Sequence, residues 1–293
     1  MFRYTYDYYL NFGRTLEISN GSASVKITLD VGPRIISYSL AGRENIFFTD
    51  TARYMSNPSY ESKCGTGDEW QLFGGHRFWS SPEDYDFTYD PDSSPVSYSI
   101  DRANGSAEFA APTRKFNGLQ KTIRVTLAPE GTGVTVEHFL TNNSDNTYRL
   151  AIWGVTVIDG GGVEIIPLPK AEPAEIVPYR TISLWHGSHY NDSRLSYEND
   201  SIVLTQDRNA ESSFKLGTVV KGEAVVCNIK GYTFSLYSDY RENALYPDGG
   251  CNYESYTNHL LTEMETLSPL YNLAPGETVS HTERWKLSAD NIG

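Results

Sequence analysis

Long apolar runs are missing from this 293-residue chain, and none approaches the ~20 consecutive residues that a helix needs to cross a bilayer. The opening stretch from Met1 to Ile18 carries no apolar core behind a basic start, so no secretory leader is read there. These two absences predict a soluble, cytoplasmic protein, or a periplasmic one if a leader precedes the sequence. Cysteine is scarce as well. Cys64, Cys227 and Cys251 are odd in number, widely spaced and outside any CxxC or Cys/His pattern, which excludes a disulfide framework or a zinc ribbon as the organising device. Positive charge is outweighed, with 24 Lys and Arg against 37 Asp and Glu, and a net charge of −13 repels a phosphate backbone. Nucleic acid and membrane are therefore not expected as partners. Helical periodicity is the last absence: no segment of a dozen residues shows it, and no Ser/Gly-rich or Pro-rich linker divides the chain. One domain over 1–293 is expected.

What is present is alternation of period two. Ala23, Val25, Ile27, Leu29 and Val31 alternate with Ser24, Lys26, Thr28 and Asp30, which predicts a strand with one apolar and one wet face. Asn20-Gly21 and Asn104-Gly105 supply the positive φ that tight hairpins need. Ile123, Val125 and Leu127, then Val134, Val136, His138 and Leu140 across a turn at Glu130-Gly131, predict a hairpin of two long strands. Near the end Val279, His281, Glu283, Trp285 and Leu287 share one strand face. The predicted class is all-β, with sheets that meander antiparallel. The stretch from Thr49 to Pro95 is poor in alternation and rich in Tyr, Ser, Pro, Asp and Gly, which predicts a long functional loop.

Aromatic content is high, with 21 Tyr and 5 Trp, residues whose flat faces suit the C–H faces of sugars. Sheets favour aromatics in any case, so this carries little alone. More informative is the run from Trp70 to Glu83, which gathers His76, Arg77, Trp79 and Glu83 around Gly74-Gly75. Glycine lets backbone pass close to a ligand, Arg77 can fork onto hydroxyl or carboxylate oxygens, and His76 titrates near neutrality. The plainer reading is a structural corner in which Arg77 pairs with Glu83. A second constellation includes Tyr246, Asp248 and Glu254 and continues to Glu263 and Glu265, which share a strand face with Leu261 and Leu267. Two neighbouring, partly buried carboxylates raise each other's pKa, as a general acid or base requires. Glu283, among apolar neighbours, needs a partner such as Arg34 or a place on a cleft wall. His138 reads as a satisfied core or cleft-wall histidine. His186 and His189 have metal-pair spacing without a third ligand, and Asp90 with Asp92 matches only part of a calcium loop.

The order and spacing of Gly32-Pro33-Arg34-Ile35, Glu44-Asn45-Ile46-Phe47, Gly74-Gly75-His76-Arg77-Phe78-Trp79 with Pro82-Glu83, His138 to Asp145, Glu263-Met264-Glu265 and Leu273 to Glu277 ahead of Glu283-Arg284-Trp285 resemble the galactose mutarotase-like superfamily of aldose 1-epimerases. That resemblance spans nearly the whole chain. It implies a large antiparallel β-supersandwich with a sugar cleft, in which a His acts as acid on the ring oxygen, a Glu takes the anomeric proton and an Arg binds hydroxyls. Arg77 matches the Arg and Glu263 or Glu265 the base, but Leu150 to Thr156 holds no histidine where the family's acid should stand. Catalytic roles are thus expected of His76, Glu263 and Glu265, and sugar contacts of Arg77, Trp79, Glu83, Trp153, Tyr246, Asp248, Glu254 and Glu283. No cofactor or metal is implied. The expected partner is a small carbohydrate, acted on as a free sugar or sugar acid; the competing readings are a non-catalytic carbohydrate-binding protein and, less favoured, a glycoside hydrolase or lyase.

Overall fold

The computed structural model describes residues 1–57, 69–84, 88–170, 176 and 178–289; Cys64 lies outside them. Among these residues there is no helix, hence none long and apolar enough to cross a membrane, and the strands form two large antiparallel sheets and one two-stranded ribbon. The all-β supersandwich expectation holds.

The first sheet, called the cleft sheet below, runs in the spatial order Arg3–Tyr8, Arg14–Ser19, Ala23–Thr28, Ile35–Leu40, Gly75–Ser81, Tyr148–Asp159, Leu261–Leu267, Tyr253–Thr257, Phe214–Thr218 and Ile182–Leu184, with Tyr271–Leu273 pairing the start of the sixth. The back sheet runs Leu195–Tyr197, Ser201–Thr205, Val163–Pro167, Val225–Ile229, Tyr232–Ser238, Thr278–Ala289, Val134–Asn142, Leu119–Leu127, Ser106–Ala110 and Ser97–Asp101. Each hairpin read from the sequence is found. Gly21 and Gly105 take φ of +92° and +68°, and Leu119–Leu127 pairs with Val134–Asn142 along its whole length.

Alternation explains the core. Leu16, Ile18, Val25, Ile27, Ile123, Val125, Val136, Phe234 and Leu287 point between the sheets and are buried, while their sequence neighbours face outward. At the centre Tyr38, Phe47, Phe234 and Trp285 pack with ring centroids 5.6–6.3 Å apart. Large aromatic areas removed from water at such contacts supply much of the drive to close the sandwich.

The reading of Thr49 to Pro95 as one loop is corrected. Gly75–Ser81 is a central strand with all seven residues buried, and a strand buried on both faces shows no alternation. Residues 58–68 and 85–87 of that stretch lie outside the described residues. Gly75 has φ +67°, and a Cβ there would meet the carbonyl oxygen of Ile35 at 2.3 Å. The glycines are required by the neighbouring backbone rather than by a ligand.

Candidate functional site

On the face of the cleft sheet turned away from the back sheet, antiparallel register sets side chains in rows. Arg77, Val155, Glu265 and Glu254 are consecutive partners across four strands. The adjacent row holds Val157, Glu263, Tyr256 and Lys215, and Trp79 with Trp153 begins the row on the other side. Residues nearly two hundred positions apart thus become neighbours because every second residue of each strand faces the same way. Above them lies a cleft of about 500 Å³, within the usual size of small-ligand sites. Its walls include Trp70, Trp79, Tyr89, Trp153, Trp185 and Tyr256; Arg77, Glu83, Lys215 and Glu263 supply charge, and His186 stands on the rim.

The charges divide into a locked set and an open one. Lys215 Nζ lies 2.8 Å from Glu254 and 2.9 Å from Glu265, between the rings of Trp153 and Trp185 at 4.4 and 4.8 Å. The Trp153 indole N–H donates to Glu265 at 2.7 Å. Burial works against the Lys215 charge, yet the Glu265 and Glu254 carboxylates outweigh it and hold the amine well above its ordinary range. Glu263 is only partly buried and open to the cleft. Burial, then repulsion from Glu265, push its carboxyl up to about 7, against the pull of Arg77 and Lys215. Glu83 accepts the Tyr89 hydroxyl, and among the described residues no ion pair joins it to Arg77, so the plainer reading of that run as an Arg77–Glu83 corner does not hold. Arg77 instead stacks on Trp79, its guanidinium carbon 4.1 Å from the ring centre.

Of the residues singled out in the sequence, Arg77, Trp79, Glu83, Trp153 and Glu263 come together in this cleft, and Glu254 and Glu265 sit beneath it, held by Lys215. His76, expected as the acid, does not join them. It neighbours Arg77 in a strand, so its side chain points the other way, between the sheets, with no exposure at all. Tyr246 stacks on Tyr240 at 5.2 Å, and Asp248 accepts from Ser81 at 3.0 Å beside a separate hollow with Ser183 and Trp185. Neither lines the cleft. Asp90 and Asp92 are buried against Arg114 and Lys121, which explains them without calcium. Lys215 and Trp185 were not singled out for this site.

Glu283 neither pairs with Arg34 nor lines the cleft. Its carboxylate accepts from Thr266 and from the Trp285 indole at 2.8 Å, and Gly154 makes room for it, since a Cβ there would meet its oxygen at 2.4 Å. Next to it runs a chain of imidazoles. His138 Nδ1 donates to the His281 carbonyl at 3.1 Å, leaving Nε2 to accept from His76 Nε2–H at 2.7 Å; His76 Nδ1 then accepts from Thr156 at 2.8 Å. His281 Nε2 donates to Thr266 at 2.8 Å. His76, His138 and Glu283 offer ligand atoms within 4.8 Å of one another. Two nitrogens on one tetrahedral zinc, however, stand about 3.3 Å apart given bonds near 2.0–2.1 Å. The 2.7 Å contact is a hydrogen bond.

This buried layer couples stability to pH in two opposed ways. Burial pushes His138 down to about 3 and His281 to about 4, so below pH 6.5 the unfolded chain takes protons the native state refuses, and acid destabilises. Burial pushes Glu283 up to about 7, so between pH 4.5 and 7 the native state keeps a proton the unfolded chain has lost, and acid stabilises. Glu283→Gln removes the second effect alone. Relative to the unchanged chain, its stability in urea should fall more steeply from pH 7 to 4.5, by on the order of 3 kcal/mol for a carboxyl moved from 4.5 to about 7. Parallel profiles for the two proteins would contradict this placement of Glu283.

Comparison with known proteins bears on the fold. No protein-family model matches the chain, and no curated protein matches it. Among solved structures it is similar to a galactose mutarotase-like protein from Lactobacillus casei, with TM-score 0.59 and 10% identity over 94% of this chain and 100% of that one. A candidate aldose 1-epimerase from Klebsiella pneumoniae superposes with TM-score 0.62 and 13% identity, covering 94% and 80%. The Slr1438 protein from Synechocystis does so with TM-score 0.61 and 9% identity, covering 94% and 96%.

Proposed function

We propose, from the galactose mutarotase-like fold of this chain, that its cleft binds a free sugar and that Glu263 moves a proton at the sugar's anomeric centre. The observation carrying this reading is the partly buried Glu263 carboxyl, open to the cleft and pushed up to about 7, on the floor of an aromatic-walled cleft. Opening a cyclic hemiacetal removes a proton from the anomeric hydroxyl and delivers one to the ring oxygen. A carboxyl poised near neutrality does the first efficiently, and water in the open cleft supplies the proton to the ring oxygen. Tyr89, Trp185 and Tyr256, each partly exposed on the cleft wall, offer flat faces to sugar C–H groups, and Arg77 offers donors to oxygens. Glu265 serves as support, because its charge is engaged by Lys215 and Trp153. Purified protein should speed the drift in optical rotation of at least one freshly dissolved aldose or sugar acid. No acceleration across a broad panel would remove catalysis.

A second reading, sugar binding without turnover, is favoured by one observation: His76 lies between the sheets, and among the described residues His186 alone of the histidines lines the cleft, at its exposed rim. Titration that shows sugar binding together with unchanged rotation kinetics would select it.

A further inference from the structure

We propose that Arg77 and Trp79 form a carboxylate subsite, so that the sugar the cleft takes is a uronate-type sugar acid; this rests on the sugar-cleft reading above. The Arg77 guanidinium is 1% exposed and lines the cleft. Its Nη1 reaches only the Leu72 carbonyl, at a long 3.5 Å, while Nε and Nη2 have no hydrogen-bond partner. Those two nitrogens share one edge of the guanidinium plane. Their N–H bonds run parallel, spaced for the two oxygens of a planar acid group. Stacking on the Trp79 ring at 4.1 Å fixes the plane, and the Trp79 indole Nε1 beside it is a third buried donor with no acceptor.

Two kinds of group could satisfy these donors: a pair of neutral hydroxyls or a carboxylate. Charge decides between them. Among the described residues no carboxylate of the chain forms an ion pair with Arg77; Glu263, Asp92 and Glu265 attract it only through space. Arg34, also buried, adds a second positive charge nearby. The other cation lining the cleft, the Lys215 ammonium, is already balanced by Glu254 and Glu265. A buried cation without a counter-ion is costly, and hydroxyls would satisfy its donors while leaving its charge unbalanced. A carboxylate does both. Glu83, the acid group closest in sequence, is occupied by the Tyr89 hydroxyl.

The test is calorimetric titration of the full chain with D-glucuronate and D-galacturonate, with D-glucose and D-galactose, and with glucose 6-phosphate. One uronate should bind at least about tenfold more tightly than its parent hexose and than the sugar phosphate, the effect of a bidentate charged contact. Arg77→Met should abolish the preference, and Trp79→Phe, which keeps a ring under the guanidinium, should narrow it. Hexoses binding as tightly as uronates would overturn the subsite and leave the sugar cleft standing. Tighter binding of the sugar phosphate would overturn the carboxylate assignment in favour of another anion. Binding of none of these sugars would overturn the proposal together with the reading on which it rests.

Discussion

Glu263→Gln is expected to slow protein-catalysed anomer exchange by about 10²- to 10⁴-fold, the usual contribution of a positioned acid or base. The substitution keeps shape and one acceptor oxygen, and removes the negative charge and with it the ability to take a proton. Because the base must be ionised, exchange in the unchanged protein should rise with pH through about 7, where burial and the Glu265 charge place this carboxyl. The residual rate of the variant should lack that rise. Stability provides the control. A carboxyl whose folded pKa lies above its unfolded value costs stability as pH increases through the window from 4.5 to about 7, so replacing it by a neutral amide relieves that cost. Glu263→Gln should therefore unfold at pH 8 in no less urea than the parent. Exchange rates and their pH dependence unchanged by the substitution would take Glu263 out of the chemistry.

The scaffold was legible because period-two patterning survives in strands with one wet face, such as Leu119–Leu127 and Thr278–Ala289. It fails where both faces are covered. Gly75–Ser81 has core on one side and the aromatic floor of the cleft on the other, and so resembled a loop. The error over His76 has the same root: had that segment been read as a strand, His76 and Arg77 would have been assigned to opposite faces at once. Glu263 and Glu265 were placed on one face from their spacing, but spacing gives no account of which one is held by a cation. The signal for that cation was faint. Lys215 stands alone between Phe214 and Leu216, and only the register that seats it beside Tyr256, one row from Glu254, gives it a role.

That role carries the other large expected effect. Lys215→Met should destabilise the protein by about 3–5 kcal/mol, the cost of leaving a buried charge without its partner. Glu254 and Glu265 are each 1% exposed, and one oxygen of each already lacks a hydrogen bond. Methionine fills similar space between Trp153 and Trp185, so lost charge rather than lost volume dominates. Burial, with repulsion from Glu265, pushes the Glu254 carboxyl well above its ordinary range, and Lys215 limits that rise. With the ammonium gone, the folded state keeps its proton to higher pH. A raised folded pKa means stability falls as pH climbs from 4.5, so the variant should lose more at pH 8 than at pH 5. Adding Glu254→Gln and Glu265→Gln to Lys215→Met should restore most of the loss in urea unfolding, because the charges that made the site costly are gone with their counter-ion. A triple variant as unstable as the single one would mean that Lys215 acts through packing on the two indoles rather than by neutralising the acids beneath the cleft.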